Sequence, residues 1–436
     1  MEKILARLVV RCVQLCASFA LAACSGEGGA PAAGSLGPPA GQAGGSSTAD
    51  AGTLDTLGLS LFACARLGEV HRLDNFAGID PRRSAVLAPA SGVQSLHLEG
   101  SPAPQQLRGQ HYDVEGAHLP AQDALLADVS SSASQLRSPT AAAVAGQRLA
   151  VYRSTVDGPY RVFGQHAPVG AESWSVPAPL SPLGMTVVDV ALAAAADTGL
   201  VLAWVEEILP SGPGVPERRL WLRPVDEQLV VLADSARLSA ADGVQQIALT
   251  AAQDGGVWLA YSKPGTSGFD LVVQRLDALA QPDGEAQVLA AGRAIVGQVA
   301  LSEIDGGPAV VWPESGGAGL QLHLRALRQD GSPTAEVILT PPGEQGMDPA
   351  TLALGEVLML AYRGGPDAAP GIWLDALRLT GESIVGRGLM ADDSGASAPL
   401  NLVASRSFDV WGVAWTALDG GNTALSFVNA DCTEPL

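Results

Sequence analysis

Short apolar runs ending in an aromatic residue return six times along the chain, closing at Tyr152, Trp204, Tyr261, Trp312, Tyr362 and Trp415. These aromatics stand 52, 57, 51, 50 and 53 residues apart. A period near fifty fixes an architecture before any local assignment does. Aligned on the aromatic, each unit carries four apolar runs. Around Trp312 they are 298–302, 309–312, 320–327 and 335–339; around Trp204 they are 187–192, 200–204, 219–223 and 228–232. The links between runs are short and rich in turn formers, such as Asp254-Gly255-Gly256, Asp305-Gly306-Gly307, Pro282-Asp283-Gly284 and Gln329-Asp330-Gly331. Such a pattern reads as antiparallel strands joined by tight turns. No sustained 3.6-residue pattern follows the N-terminal segment, so the expected class is all-β.

Four strands per unit at this period predict a β-propeller, each unit one blade around a central channel. A weaker unit precedes the six clear ones, with runs at 85–87, 93–98, 112–114 and 124–129. The expected count is therefore seven blades, with six or eight still open. The last unit has runs at 400–403, 410–415 and 423–428 and lacks a fourth. An orphan apolar run at 57–64 precedes the first unit. An N-terminal strand that completes the last blade would remove two open sheet edges. The domain is expected over 53–436. The third run of each unit leads into a recurring tail: Arg275-Leu276-Asp277, Arg325-Ala326-Leu327, Asp375-Ala376-Leu377. Together with the Ala-Trp or Ala-Tyr strand and the glycine turn, this resembles repeats of secreted bacterial propeller proteins. That resemblance implies a fold and carries no activity.

The bulk numbers narrow the partners. The chain of 436 residues has 25 Lys+Arg against 45 Asp+Glu, a net charge of −20. That balance repels phosphate backbones and argues against nucleic acid as a partner. The N-terminus differs from the rest. Lys3, Arg7 and Arg11 precede an apolar stretch of about a dozen residues, too short to span a bilayer as a helix. It ends in Leu21-Ala22-Ala23-Cys24, which resembles the lipobox of bacterial lipoproteins. The resemblance implies a signal peptide over 1–23 and a lipid on Cys24. It also implies export to the cell envelope, with Ser25 after the lipidated cysteine favouring the outer membrane. Loss of 1–23 leaves a net charge of −22. Residues 24–52 are Gly, Ala, Pro and Ser with almost no large apolar side chain, the composition of a tether. Several acyl chains anchor stably where one would not.

Of five cysteines, Cys12 and Cys16 leave with the signal and Cys24 takes the lipid. The mature chain keeps Cys64 and Cys432, at the ends of the two strands expected to be neighbours. In an oxidising compartment this isolated pair reads as a disulfide clasp.

Catalytic signatures are sparse. The chain has no Walker loop, no His-Glu-x-x-His, no nucleophile elbow and no EF-hand loop. No cofactor is expected. His111 and His118 are the closest histidine pair, and solvated loop histidines explain them better than a metal does. In propellers the turns between second and third strands open on the face that holds the ligand. The residues just beyond each aromatic are therefore the candidate binding set: Arg153, Glu206, Lys263, Glu314 and Arg363. The expected function is a monomeric, lipid-anchored binding or scaffold module for a protein, glycan or small molecule. The alternative is a glycan-active hydrolase or lyase on the same fold; the balance of motifs favours no catalysis.

Overall fold

The computed structural model describes residues 63–433 apart from 77–83, 88–92, 100–104, 114–117, 130–134, 145, 172, 196–198, 318, 355–356, 367–370, 379–382, 392–395, 405–409 and 420–421. The signal, lipobox and tether at 1–52 lie outside the described residues. Among those described, 28 strands form seven sheets, each of four antiparallel strands. In chain order the first six sheets span 84–129, 136–179, 187–237, 246–293, 300–338 and 344–391. The seventh joins Ala396–Ala404, Val410–Asp419 and Asn422–Thr433 to the N-terminal strand Ala63–Phe76. No α-helix occurs among the described residues.

Alternation of side chains explains how the sheets stack. On Gly199–Ile208, Leu200, Leu202 and Trp204 face the second sheet, while Val201, Ala203 and Val205 face the fourth. Both faces are buried, so the run is continuously apolar, as expected of a strand covered on two sides. Six core clusters fill the spaces between consecutive sheets from the first to the seventh. The first strand of each sheet touches the first strand of the next, and that of the seventh touches that of the first. The succession returns to its start, a propeller-like arrangement.

The six aromatics that announced the repeat occupy one register. They pair across the ladder as Tyr152 with Phe163, Trp204 with Trp221, Tyr261 with Val272, Trp312 with His323, Tyr362 with Trp373 and Trp415 with Ser426. Trp204, Trp312 and Trp415 are completely buried. Directly opposed side chains of this kind are a main source of sheet stability.

Three strand assignments differ from the apolar pattern. The run 228–232 is not a strand; the fourth strand of that sheet is Ala236–Arg237. Instead, Asp226 Oδ1 accepts from the backbone N–H of Gln228 (2.9 Å) and Val230 (2.7 Å), and Leu229 sits at φ 61°. The carboxylate organises a turn and leaves Val230, Val231 and Leu232 exposed. The same turn recurs with Ala280 at φ 60° and Gly331 at φ 77°. In the first sheet the third strand is Gln105–Tyr112 rather than 112–114. Its buried Gln105, Gln110 and His111 hide it from an apolar count. The N-terminal strand is Ala63–Phe76, so the run 57–64 overlaps it only at its end, and 57–62 lie outside the described residues. That strand pairs with Asn422–Thr433, with Cys64 directly opposite Cys432.

At the hairpin turn Asp305-Gly306-Gly307, Asp305 and Gly306 have φ 51° and 74°. Two positive φ values match the turn type that suits strand twist. Each sheet thus has two ends. The lower end carries the turns between first and second and between third and fourth strands. The upper end carries the turns between second and third strands and the passages to the next sheet. The N-terminal strand runs from the lower end at Ala63 to the upper end at Phe76.

Candidate functional site

All five residues expected to bind lie at the upper end, one or two positions past the aromatic of their strand. Each engages a different local partner. Arg153 is only 2% exposed; its Nη1 donates to the Val187 carbonyl in the next sheet at 2.8 Å, and its guanidinium lies over Tyr160. Glu206 accepts from Trp221 Nε1 at 2.9 Å, and Trp221 stacks on Trp204 with centroids 6.5 Å apart. Lys263 Nζ donates to the Ala240 carbonyl at 2.9 Å. Glu314 accepts from Trp312 Nε1 at 3.3 Å and pairs with Arg293. Arg363 donates through Nε and Nη2 to Asp348 Oδ2 at 3.0 and 2.8 Å. Asp348 sits at φ 54°, a conformation an L residue adopts at a cost, beside a break in the ladder between Met347 and Ala350.

Around these stand residues that the sequence pattern did not single out. Asp189 lies on the first strand of the third sheet and is 8% exposed. It accepts from the Val190 N–H at 2.9 Å. Burial pushes its carboxyl up to about 7, with the Arg153 guanidinium the main opposing influence. Next to it, Arg218 joins Glu207 (3.0 Å) to Gln245 of the fourth sheet (2.9 Å). No local motif marks Asp189; only its register beside Val205, one step beyond Trp204, would have pointed to it.

A second group lies beneath the upper end, between the fifth and sixth sheets. Two positions before the aromatic, the opposed third-strand residues are Gln165, Arg223, Gln274 and Arg325 in sheets two to five. Arg223 and Arg325 reach back to carbonyls of the preceding sheet, Leu180 and Leu289. In the sixth sheet the residue is Asp375, completely buried, and the guanidinium comes from Arg387 on the neighbouring strand. Arg387 donates to Glu344 (2.7 Å) and to the Tyr362 hydroxyl (2.6 Å) and lies 4.4 Å over Trp373. Burial pushes Asp375 up to about 7, opposed first by Arg387 and then by the Tyr362 hydroxyl.

His111, expected with His118 as a solvated loop histidine, is instead a buried residue of the strand Gln105–Tyr112. His118 meets Asp123 at 2.9 Å, whereas His111 is buried against Arg148.

The upper end therefore holds side chains of both signs from five consecutive sheets, each fixed by a bond to its own or the adjoining sheet. It is an ordered polar layer over a hydrophobic base, with Arg153 buried and the other four partly exposed. A surface of this kind can hold a polar ligand without first being rearranged.

No family model matches this chain, and no curated protein matches it. Solved structures with a similar course of chain include the phage phi92 endosialidase, at 8% identity and a TM-score of 0.44, covering 85% of this chain and 69% of that one. The polysaccharide lyase Uly1 is similar at 10% identity and a TM-score of 0.49, covering 84% and 100%. The Penicillium chrysogenum α-L-arabinanase is similar at 12% identity and a TM-score of 0.46, covering 85% and 100%. All three are glycan-active enzymes.

Proposed function

We propose that this chain is a seven-bladed β-propeller, closed by the strand Ala63–Phe76, that serves as a lipid-anchored binding module outside the cytoplasm. The lipid is on Cys24 and the site is the upper end. The observation that carries the reading is the fixed array of Arg153, Glu206, Lys263, Glu314 and Arg363, each held by an ion pair or hydrogen bond at the same end of its sheet. The position of Ala63 supports the orientation: a tether entering there meets the lower end, so the upper end points away from the anchor. The opposed register of Cys64 and Cys432 supports the clasp. Directly paired antiparallel residues have Cα atoms about 4.5–5.5 Å apart, inside the range a disulfide spans.

The ligand is of mixed polarity, a glycan or a small polar molecule, to suit carboxylates, guanidinium groups and the half-buried Trp221. Binding of the mature protein to an immobilised glycan and metabolite panel tests this. The triple variant Glu206→Gln, Lys263→Gln, Glu314→Gln should lose whatever the wild type binds; unchanged affinity rejects the site.

A second reading, a glycan-active enzyme, is favoured by Asp189. A carboxyl near 7 beside Arg153 is protonated in about half the molecules at neutral pH, the range in which a general acid works. For an enzyme, Asp189→Asn should stop turnover while leaving ligand affinity in place; for a binding module there is no turnover to stop.

A further inference from the structure

Packing asks for a hydrophobic residue opposite the aromatic of each sheet, and four of the other five carry Phe163, Trp221, Val272 and Trp373 there. The fifth sheet carries His323, stacked on Trp312 with centroids 5.5 Å apart. Its two ring nitrogens face two carboxylates. Nδ1 lies 2.8 Å from Glu336 Oε1, and Nε2 lies 3.8 Å from Glu314 Oε2. One ligand atom from each of the three residues falls within 4.8 Å of the others. Arg293, from the fourth sheet, pairs with both acids. Two carboxylates here face a single guanidinium. The His323, Glu314 and Glu336 side chains are only 8%, 17% and 21% exposed.

We infer that Glu314, His323 and Glu336 form a site for a borderline divalent transition-metal ion, Zn2+ being the probe of choice. This goes beyond the ligand-binding reading of the upper end, with which it shares Glu314 alone. One imidazole and two carboxylates suit zinc, whereas calcium and magnesium take oxygen ligands in greater number. Ligands at 2.0–2.2 Å from a tetrahedral ion lie about 3.3–3.6 Å apart, close to the 3.8 Å between Nε2 and Glu314; Glu336, which faces Nδ1 at 2.8 Å, gives up that contact to reach an ion on Nε2. Trp312 Nε1 holds Glu314 through Oε2 at 3.3 Å, the oxygen that faces His323 Nε2. Arg293 is the resident counter-cation. It is the most exposed member at 30%, and it turns to solvent when the metal enters. Three protein ligands then leave a fourth position open.

The test is Zn2+ titration of chelator-stripped mature protein against a chromophoric competitor. One ion per chain is expected. His323→Phe, which installs the ring of Phe163, and Glu336→Gln should each weaken binding at least tenfold, His118→Ala should not, and Arg293→Gln should bind as tightly as wild type or more tightly. Absence of one-to-one binding by the wild type overturns the site, as does wild-type affinity in Glu336→Gln. A tenfold loss in Arg293→Gln overturns the displacement. If His323→Phe fails to fold by circular dichroism, the Glu336→Gln titration decides. Neither variant touches Asp189, Glu206 or Lys263, so failure here leaves the binding reading of the upper end standing.

Discussion

Replacing Asp375 with Asn should make this protein more stable at neutral pH and leave it nearly unchanged in acid. Asp375 is completely buried, and among the described residues the Tyr362 hydroxyl is the one hydrogen-bonding group set against its carboxylate. The nearest cation, Arg387 Nε, is 3.6 Å away, and that guanidinium is already shared with Glu344 and Tyr362. The folded carboxyl sits at about 7 against an ordinary 3.8. The sign follows from proton binding: between these values the folded chain holds a proton that the unfolded chain has released. Its contribution to stability is fully present below pH 3.8 and is lost as pH rises to about 7. Over that span, at roughly 1.4 kcal/mol per pH unit, the loss comes to about 4 kcal/mol. Asn keeps a neutral group of the same shape at every pH and escapes the loss. Asp189, also raised to about 7, contributes with the same sign in both proteins and cancels in the difference. Urea unfolding read by tryptophan fluorescence at pH 4 to 8 gives that difference directly, provided the slope with urea is the same for both. Asp375→Asn should gain on wild type by up to about 4 kcal/mol across the range. A flat difference would falsify the burial argument. A variant that loses ground toward pH 8 would mean that the pair with Arg387 stabilises the ionised acid.

Trp312→Ala removes a completely buried indole between the fourth and fifth sheets and should cost about 3–5 kcal/mol, seen as a lower denaturation midpoint with an unchanged slope. Gly331→Ala forces a β-carbon into a turn at φ 77°, 3.2 Å from Gln287 Nε2, and should cost about 1 kcal/mol. Peptide mapping without reductant should recover Cys64 joined to Cys432; if so, Cys64→Ser lowers stability by up to roughly 4–6 kcal/mol, and two free thiols in the mature protein reject the clasp.

The architecture was legible because packing enforces it in every copy. A sheet buried on both faces needs a continuous apolar run, and the ladder needs its aromatic at one register, so Trp204, Trp312 and Tyr362 recur at a fixed spacing. What packing does not enforce was hidden. The fourth strand Ala236–Arg237 is two residues long and half exposed, with no pattern to find, while the apolar 228–232 beside it is a turn shaped by Asp226. Gln105–Tyr112 is a strand with polar residues inside, where the side-chain oxygen of Gln105 accepts from the Leu136 N–H at 2.7 Å and so serves the needs of the next sheet. The candidate residues share the upper end because each follows the aromatic of its strand. Asp189 and Asp375 were missed because their chemistry arises from burial, which one sequence without a register does not reveal.

The charges around the aromatic layer obey a different rule from the layer itself. Arg293, on the chain that enters the fifth sheet, pairs with Glu336 at the start of that sheet's outer strand Val337–Ile338. Glu344, where the chain enters the sixth sheet, pairs with Arg387 on that sheet's outer strand Ser383–Ala391. The two sheets make the same clasp between entering chain and outer strand with the signs exchanged. A clasp requires opposite charges and is indifferent to which side carries which, so the fold fixes the bond and leaves the polarity free. Opposed polarity nevertheless changes what each sheet offers outward: an acid pair with His323 in the fifth, a guanidinium over Trp373 in the sixth. Neighbouring sheets that solve one structural problem thus present different chemistry at one end of the molecule. That difference is the property on which a ligand, rather than the packing, can select.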